Sequence, residues 1–343
     1  MTRGDDIAWC YDAVTEVSRT FAITVAELEE PMAREVCVGY LVCRVADTVE
    51  DDRHVPPGEK ADLLRAYDAA LAPGAGADAA ERFQATATEW APADPGPDWG
   101  VVLEAPRVLR SFRGLDPAAR DCIRPPTRAL VGGMVDFVDR YAADGGLRVR
   151  TLAELEEYCE YVAGTVGDLV TNLLAREAAD PVVARLEEHA RSFGLLLQLV
   201  NVAKDVGTDY AEENNVYLPA EWLSEAGVEP AELGDPDAAE RVAPVVERVT
   251  ERAASYLDGA QAWLEAMPTP RGNTLSAWAI PFLLAVGTIR ELERRPTGPV
   301  QEGNVKIPRA EVEAVMARFE AGVTAEDLDR LRKQMRERPL HEW

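Results

Sequence analysis

Two acidic stretches of this sequence decide its fold and its chemistry: Arg44-Val45-Ala46-Asp47-Thr48-Val49-Glu50-Asp51-Asp52 and Gln198-Leu199-Val200-Asn201-Val202-Ala203-Lys204-Asp205-Val206-Gly207-Thr208-Asp209. In a helix, residues three and four apart share a face. The first stretch therefore predicts a polar stripe of Arg44, Asp47, Glu50 and Asp51. The second predicts a stripe of Gln198, Asn201, Asp205 and Asp209. Both lie in apolar surroundings, where an ionised carboxylate is costly unless a cation or hydrogen bonds compensate it.

Carboxylates are the oxygen ligands that suit Mg²⁺, and protein-bound Mg²⁺ usually shares phosphate oxygens with a substrate. We therefore predict a site for Mg²⁺ and a diphosphate between two facing helices. The alternative for either stretch alone is a solvated helix face, which is the usual meaning of such spacing. The presence of two such stretches in apolar helices, with Arg, Asn and Gln on the same stripes, favours the metal site.

Helical periodicity dominates the remainder of the chain, and alternating strand patterns are scarce. Residues 72–100, rich in Ala, Gly and Pro, predict a loop with one short helix. No stretch resembles an interdomain linker strongly enough to divide the chain, because the two acidic stripes must meet. We therefore predict one all-α domain over residues 1–343.

Composition narrows the classes of function and location. The net charge of −25 excludes a general nucleic-acid surface, since nothing would neutralise phosphates. No run of about 18 uncharged apolar residues occurs, so no transmembrane segment is predicted, and the first residues lack the pattern of a secretory signal. The five cysteines have no CxxC spacing, which indicates buried free thiols in a reducing, cytoplasmic compartment.

An ordered series of motifs resembles the squalene synthase branch of the squalene/phytoene synthase family. Besides the two acidic stretches, the series comprises Cys10-Tyr11, Ser18-Arg19-Thr20-Phe21, Tyr40 to Cys43, Gly133 to Phe137, Tyr158 to Gly167, Ala279-Ile280-Pro281 and Gly303 to Ile307. A DxxxD motif alone would be weak evidence, whereas this ordered series is specific. The resemblance implies the isoprenoid synthase helical bundle, with both acidic motifs beside a central cavity.

The resemblance also implies a reaction. Two molecules of farnesyl diphosphate would be joined head to head to give presqualene diphosphate, with Mg²⁺ and cationic side chains stabilising the departing diphosphate. A second ionisation, rearrangement and hydride transfer from NADPH would then give squalene. No Rossmann-type GxGxxG is present, so NADPH would bind in another way.

Residue roles follow from position in these motifs. The implied metal ligands are Asp47, Glu50, Asp51, Asp205 and Asp209. The implied catalytic residues are Tyr158, Arg44, Tyr40 and Phe21. Substrate would contact Arg19, Arg44, Gln198, Asn201 and Val162, and the cofactor would contact Arg19, Arg44, Lys306 and Arg309. Simpler alternatives stay open. Arg19 or Arg44 could form a salt bridge to a neighbouring Asp, and Tyr158 and Val162 could be ordinary core residues.

Several features differ from the family pattern. Lys204 stands where arginine is common in the family. Pro308 stands where squalene synthases often carry a basic residue, next to the cofactor lysine. Ala277-Trp278 stands where animal-type enzymes carry Phe-Cys. Two other functions therefore stay open. One is a phytoene or dehydrosqualene synthase, which shares the first step but needs no NADPH. The other is an inactive family member that acts as an assembly partner.

We expect the protein to be a monomer. A peripheral contact with the inner face of the membrane, for release of the product, stays open.

The acidic, lysine-poor composition predicts adaptation to high salt. The chain has 61 acidic residues, and only four of its 36 basic residues are lysines. Net charge of this size destabilises a compact state by self-repulsion unless salt screens it. The alternative is a GC-rich genome that favours codons for Arg, Ala, Asp and Glu.

We therefore expect the thermal midpoint of unfolding to rise between low and molar salt. Differential scanning calorimetry over a KCl series checks this, with sucrose as a control for general exclusion effects. A midpoint that stays flat across the series would contradict adaptation to high salt.

Overall fold

The computed structural model describes residues 3–176, 178–268, 274–319 and 323–343. The first half contains α1 (Arg3–Val17), α2 (Arg19–Glu27), α3 (Met32–Asp51), α4 (Pro57–Leu71), α5 (Ala77–Trp90), α6 (Pro97–Leu103), α7 (Ala105–Arg113), α8 (Pro117–Arg140), α9 (Leu152–Cys159) and α10 (Thr165–Ala175). The second half contains α11 (Asp180–Lys204), α12 (Val206–Thr208), α13 (Ala220–Glu225), α14 (Ala239–Ala254), α15 (Leu257–Glu265), α16 (Thr274–Arg294), α17 (Gly298–Gln301), α18 (Arg309–Phe319) and α19 (Ala325–Glu337).

The all-α prediction is confirmed. In the described ranges no strand occurs, and extended pairing is confined to a single bridge between Arg148 and Val216. The buried apolar side chains form one cluster that runs from α1 to the last turn of the chain. That residues 1–343 form a single domain stays a prediction.

Helix α3 is the central element because it is apolar on nearly every side. Its buried positions include Val38, Leu41, Val42 and Val45, each with no more than a trace of exposed surface. Helices α1, α4, α6, α7 and α8 pack around it. A helix that is hydrophobic all round belongs in a core, and this one carries the first acidic stretch into the interior.

Helix α11 lies against α10 at close range because glycines face the contact. A Cβ on Gly167 would lie 2.6 Å from the carbonyl oxygen of Ala190, which real side chains do not tolerate. This close approach brings α11, which carries the start of the second acidic stretch, against the turn Glu160–Gly164.

The second acidic stretch is less regular than predicted, since α11 ends at Lys204 and Asp205 stands outside helical geometry. The chain then forms the short α12 and a π-helical turn, Asp209–Glu213. Gly207 explains the break: a Cβ there would lie 2.9 Å from Pro299 O and 3.0 Å from Gly303 Cα. The backbone bends to make room for residues 299–303. The hydrogen bond from Asp209 N to Asp205 O (2.8 Å) nevertheless keeps these two residues one helical turn apart.

Three other predictions can be compared with the structure. Residues 72–100 hold all of α5 and the start of α6, so the prediction of a loop with one short helix is confirmed only in part. The helix is not short, because the Ala-rich composition sustains 14 residues of amphipathic helix packed on α4 and α7. All five cysteines are free, as predicted.

In the described ranges one helix, α16, is long and apolar enough to cross a membrane, but 78% of its most apolar stretch is buried inside the protein.

Candidate active site

The two acidic stretches meet at one cavity of about 350 Å³. Its walls include all five predicted metal ligands, Asp47, Glu50, Asp51, Asp205 and Asp209. Arg44, Tyr158, Val162, Gln198 and Asn201 also line it, so most of the predicted site residues are brought together. We call this space the acidic cavity.

A second space of about 520 Å³, the apolar cavity, adjoins the first. Its walls are largely aromatic and aliphatic, and they include Phe21, Tyr40, Phe193, Trp263 and Trp278. The two cavities share five lining residues: Asp47, Val162, Gln198, Asn201 and Lys204. The linings therefore match a ligand with a hydrocarbon tail and a polar head that is held together with cations.

Three carboxylates of the acidic cavity, Asp47, Asp51 and Asp209, hold their protons unusually tightly. Burial raises the pKa of Asp47 to about 7, against the pull of Arg44. Burial, followed by repulsion from Asp205 and Asp51, raises the pKa of Asp209 to about 8. The pKa of Asp51 is raised by burial to about 6. These shifts mean that full ionisation of the cavity requires additional positive charge.

Tyr158 connects the first acidic stretch to a second tyrosine. Its hydroxyl donates to Glu50 at 3.1 and 3.2 Å and lies 3.3 Å from the Tyr217 hydroxyl, and the two rings stack at 5.1 Å. Tyr217 in turn contacts Asn215 (3.0 Å) and Glu213 (3.5 Å). Burial and the Glu50 charge raise the pKa of Tyr158 well above its usual value, so the phenol is protonated.

The carboxylates do not converge on one point. No group of three or more His, Cys, Asp or Glu side chains in the described ranges is arranged to hold a metal ion. Existing partners explain this arrangement: Lys204 is paired with Asp205, and Tyr158 with Glu50. The donor chemistry suits Mg²⁺, but to bind it Asp205 would have to leave Lys204, and Glu50 would have to give up one of its two contacts with Tyr158.

Among the predicted cationic residues, Arg44 has a partner that lies far away in sequence. Its guanidinium contacts Asp98 at 2.7 and 2.8 Å while it also lines the acidic cavity. Arg19 lies exposed at the start of α2, between Ser18 and Thr20, which both line the apolar cavity, but it is not itself a lining residue. Arg44 thus forms a salt bridge, but with an Asp distant in sequence instead of a neighbouring one, and the roles of both Arg44 and Arg19 stay predictions.

The predicted cofactor segment lies beside the second acidic stretch. Thr208 N donates to Gly303 O (3.0 Å), and Val305 N donates to Lys204 O (3.0 Å). Lys306 follows directly and is exposed. Arg309 is also exposed and forms a helical ion pair with Glu313 at 2.8 Å.

The predicted catalytic aromatic residues lie together at one wall of the apolar cavity. Phe21 stacks on Tyr40 with ring centroids 4.1 Å apart, and it meets the edge of Trp278 at 6.2 Å. Trp278 also contacts Phe193 at 6.1 Å. The tryptophan that differs from the family pattern therefore belongs to the cavity wall.

Sequence reasoning missed four residues around the site: Lys60, Asp98, Glu213 and Tyr217. Glu213 lines the acidic cavity, and burial with repulsion from Asp51 and Asp209 raises its pKa to about 10. Glu213 could have been predicted from the sequence, because it continues the four-residue spacing of Asn201, Asp205 and Asp209. The other three had no local signal.

Similarities to known proteins agree with this geometry. The pattern of the squalene/phytoene synthase family matches residues 14–311. A squalene synthase of Schizosaccharomyces pombe is 28% identical over 311 residues, covering 89% of this chain and 63% of that protein. Squalene synthase 1 of Arabidopsis thaliana is 27% identical over 286 residues, covering 82% of this chain and 64% of that protein. The chain thus spans a little under two thirds of the length of these curated relatives.

Solved structures show the same fold. TcSQS in complex with a ligand aligns with a TM-score of 0.73 at 24% identity, covering 97% of each chain. A dehydrosqualene synthase in complex with a ligand aligns with a TM-score of 0.54 at 20% identity, covering 98% of this chain and 96% of that one. The predicted isoprenoid synthase helical bundle is therefore confirmed. With this fold and a family pattern that extends over most of its length, the chain belongs to the squalene/phytoene synthase family.

Proposed function

We propose that this protein is a squalene synthase, which joins two farnesyl diphosphates to presqualene diphosphate and then reduces that product to squalene with NADPH. The observation that carries the proposal is the direct junction of the acidic and apolar cavities through five shared lining residues. A prenyl diphosphate has the matching division into a charged head and an apolar tail. Ligand sites of this kind are mostly apolar with a few polar groups that fix orientation.

The five carboxylates Asp47, Glu50, Asp51, Asp205 and Asp209 would hold Mg²⁺ with the diphosphate. When bound, Mg²⁺ would neutralise charge that develops on the leaving diphosphate. The raised pKa values of Asp47 and Asp209 support this role, because such carboxylates gain most from an added cation. Gln198 and Asn201 on the shared wall would orient the head group through their amides.

Lys204 and Arg44 would provide the protein's own positive charge at the head group. Lys204 lines both cavities, and its ammonium now pairs with Asp205. With Asp205 holding metal, that ammonium would be free to contact diphosphate oxygens. Arg44 keeps its orientation through Asp98 and presents the rest of its guanidinium to the same space.

The apolar cavity would hold the hydrocarbon chains and exclude water from the reacting carbons. Val162 lies at the boundary, while Phe21, Tyr40 and Trp278 form an aromatic wall. Aromatic faces attract cations by about 0.5–2 kcal/mol each. This wall would therefore stabilise a carbocation through its aromatic faces.

Tyr158 would move a proton in the first coupling step. Its phenol is protonated and already donates to Glu50, so it cannot act as a tyrosinate base. It can accept a proton at its oxygen only while passing its own proton to Glu50. Tyr158 would thus be a relay if Glu50 keeps one carboxylate oxygen on the phenol while its other oxygen holds Mg²⁺.

The reductive step is proposed to depend on Lys306. NADPH would supply the hydride, and the exposed ammonium of Lys306 suits a phosphate group of that cofactor. The segment before it is hydrogen-bonded to the second acidic stretch, and this connection supports the proposal. Arg309 is a weaker candidate, since its guanidinium pairs with Glu313.

Loss of one metal ligand should abolish the first step. We expect Asp51→Asn and Asp205→Asn to lower consumption of farnesyl diphosphate at least about 100-fold with the fold retained, because each ligand supports several kcal/mol of leaving-group stabilisation. Product analysis and circular dichroism check this. Glu212→Gln is the control, since Glu212 is exposed and adjacent to the site in sequence. Near-normal presqualene diphosphate formation by both variants would exclude these residues as metal ligands.

The metal-free protein should lose stability as pH rises. The folded protein keeps protons on Asp47, Asp209 and Glu213 up to pKa values of about 7, 8 and 10, whereas the ordinary values are 3.8, 3.8 and 4.5. The folded state binds more protons than the unfolded chain between these values, so raising pH through that window favours unfolding. Thermal melts in chelator from about pH 5 to about pH 9 check this.

Mg²⁺ should restore more stability at the alkaline end of that range, because it replaces the lost protons. Asp209→Asn, which removes one titrating group, should give a shallower loss. Melting curves with and without Mg²⁺ that differ by the same amount at every pH would contradict the metal assignment.

The two steps should separate at Lys306. We expect Lys306→Ala to leave farnesyl diphosphate consumption largely intact and to lower squalene formation roughly 10–100-fold, the effect of losing a charge-assisted contact of about 1.5–3 kcal/mol. Extraction and chromatography of products with and without NADPH check this, with Lys333→Ala as the surface control. If wild-type protein makes the same hydrocarbon without NADPH, a phytoene or dehydrosqualene synthase is the correct assignment. Equal loss of both steps would assign Lys306 to diphosphate binding or to structure.

A further inference from the structure

Lys60 is a buried cation that the proposed reaction does not use. It lies on α4 with 6% of its surface exposed, and its ammonium donates to the backbone carbonyl of Glu50. Helix α3 ends at Asp51, and the last carbonyls of a helix have no partner within it. Lys60 therefore caps the end of the helix that carries the first acidic stretch, where positive charge is also favoured by the helix dipole.

The surroundings of Lys60 are strongly acidic. Its ammonium interacts electrostatically with Glu50, Asp51, Asp52 and Glu213, whose charges oppose the lowering of its pKa by burial. A lysine is seldom buried unless it is paired. Lys60 does not line the acidic cavity. Its ammonium instead contacts the backbone at the end of α3.

We infer that Lys60 is a positioning residue, an internal counter-cation that holds the Glu50–Asp51 end of α3 in place in the metal-free protein and moderates its affinity for Mg²⁺. This inference rests on the proposed function, because it takes the acidic cavity as the Mg²⁺ site. The physical basis is that carboxylates which already share an internal cation present less net negative charge to an incoming one. Lys60 therefore stabilises the metal-free site and reduces the free energy gained when Mg²⁺ binds there.

Three variants separate the charge of Lys60 from its hydrogen bond. Lys60→Gln removes the charge and retains a donor for the Glu50 carbonyl. Lys60→Met removes both at similar length, and Lys60→Arg retains the charge. Lys333→Met is the matched control, because Lys333 pairs with Asp329 at 2.8 Å on the exposed face of α19.

The measurement is the dissociation constant of Mg²⁺ alone, by calorimetric titration in molar KCl at about pH 8.5, where fewer carboxylates carry protons. We expect Lys60→Gln and Lys60→Met to bind Mg²⁺ at least about threefold more tightly than wild type. Their metal-free melting temperatures should fall and then recover with Mg²⁺. Lys60→Arg and Lys333→Met should match wild type.

If Lys60 has only a structural role, the two variants that lack the charge will behave differently. Their melting temperatures would fall equally with and without Mg²⁺, and their dissociation constants for Mg²⁺ would stay unchanged or increase. That result would overturn the inference. Should Lys60→Met not fold, Lys60→Gln alone decides the outcome, since it keeps the helix cap. Wild-type protein that binds no Mg²⁺ would overturn the proposed function as well. Wild-type protein that binds Mg²⁺ with the same affinity as the Gln variant overturns only the role of Lys60.

Discussion

Electrostatic repulsion among carboxylates around one small cavity is the constraint on which this structure depends. Among the described residues, six carboxylates line a space of about 350 Å³, together with two cationic side chains, Arg44 and Lys204. Two like charges 4 Å apart repel by about 4 kcal/mol at the effective dielectric constant of a protein surface, and by more in the interior. The fold must therefore hold these groups on rigid helices. Protons, Lys60 and the hydrogen bond from Tyr158 relieve part of the repulsion.

The apolar cavity belongs to the same electrostatic arrangement. Its walls keep water away from the carboxylates at the shared boundary, which raises the cost of their ionisation and also strengthens their attraction for a cation. An acidic site open to solvent would be easier to fold but would stabilise a leaving diphosphate less. Asp47 shows both effects at once: it lines both cavities, and its pKa is raised although Arg44 is close.

Local patterns predicted the parts of the site that lie on continuous helices. Asp47, Glu50 and Asp51 share a face of α3 as their spacing required, and Gln198 and Asn201 share a face of α11. The break after Lys204 was not predicted, because it depends on the close approach of residues 299–303 to Gly207, about a hundred positions away. The partner of Arg44 was missed for the same reason, since Asp98 is 54 residues away and lies in a segment expected to be mainly loop. Buried charges select partners through tertiary contacts, which periodicity does not describe.

Two separate populations of negative charge therefore exist in this protein, and they respond to different ions. Surface carboxylates are screened by monovalent salt, whose Debye length falls to about 3 Å at 1 M. The carboxylates of the acidic cavity are partly enclosed by low-dielectric walls, so bulk screening reaches them poorly. Their repulsion is relieved by charge that enters the site or already lies in or beside it: a proton, the guanidinium of Arg44, the ammonium of Lys60 or Lys204, or a divalent metal. Molar salt can thus stabilise the molecule as a whole while leaving the active site dependent on its own cations.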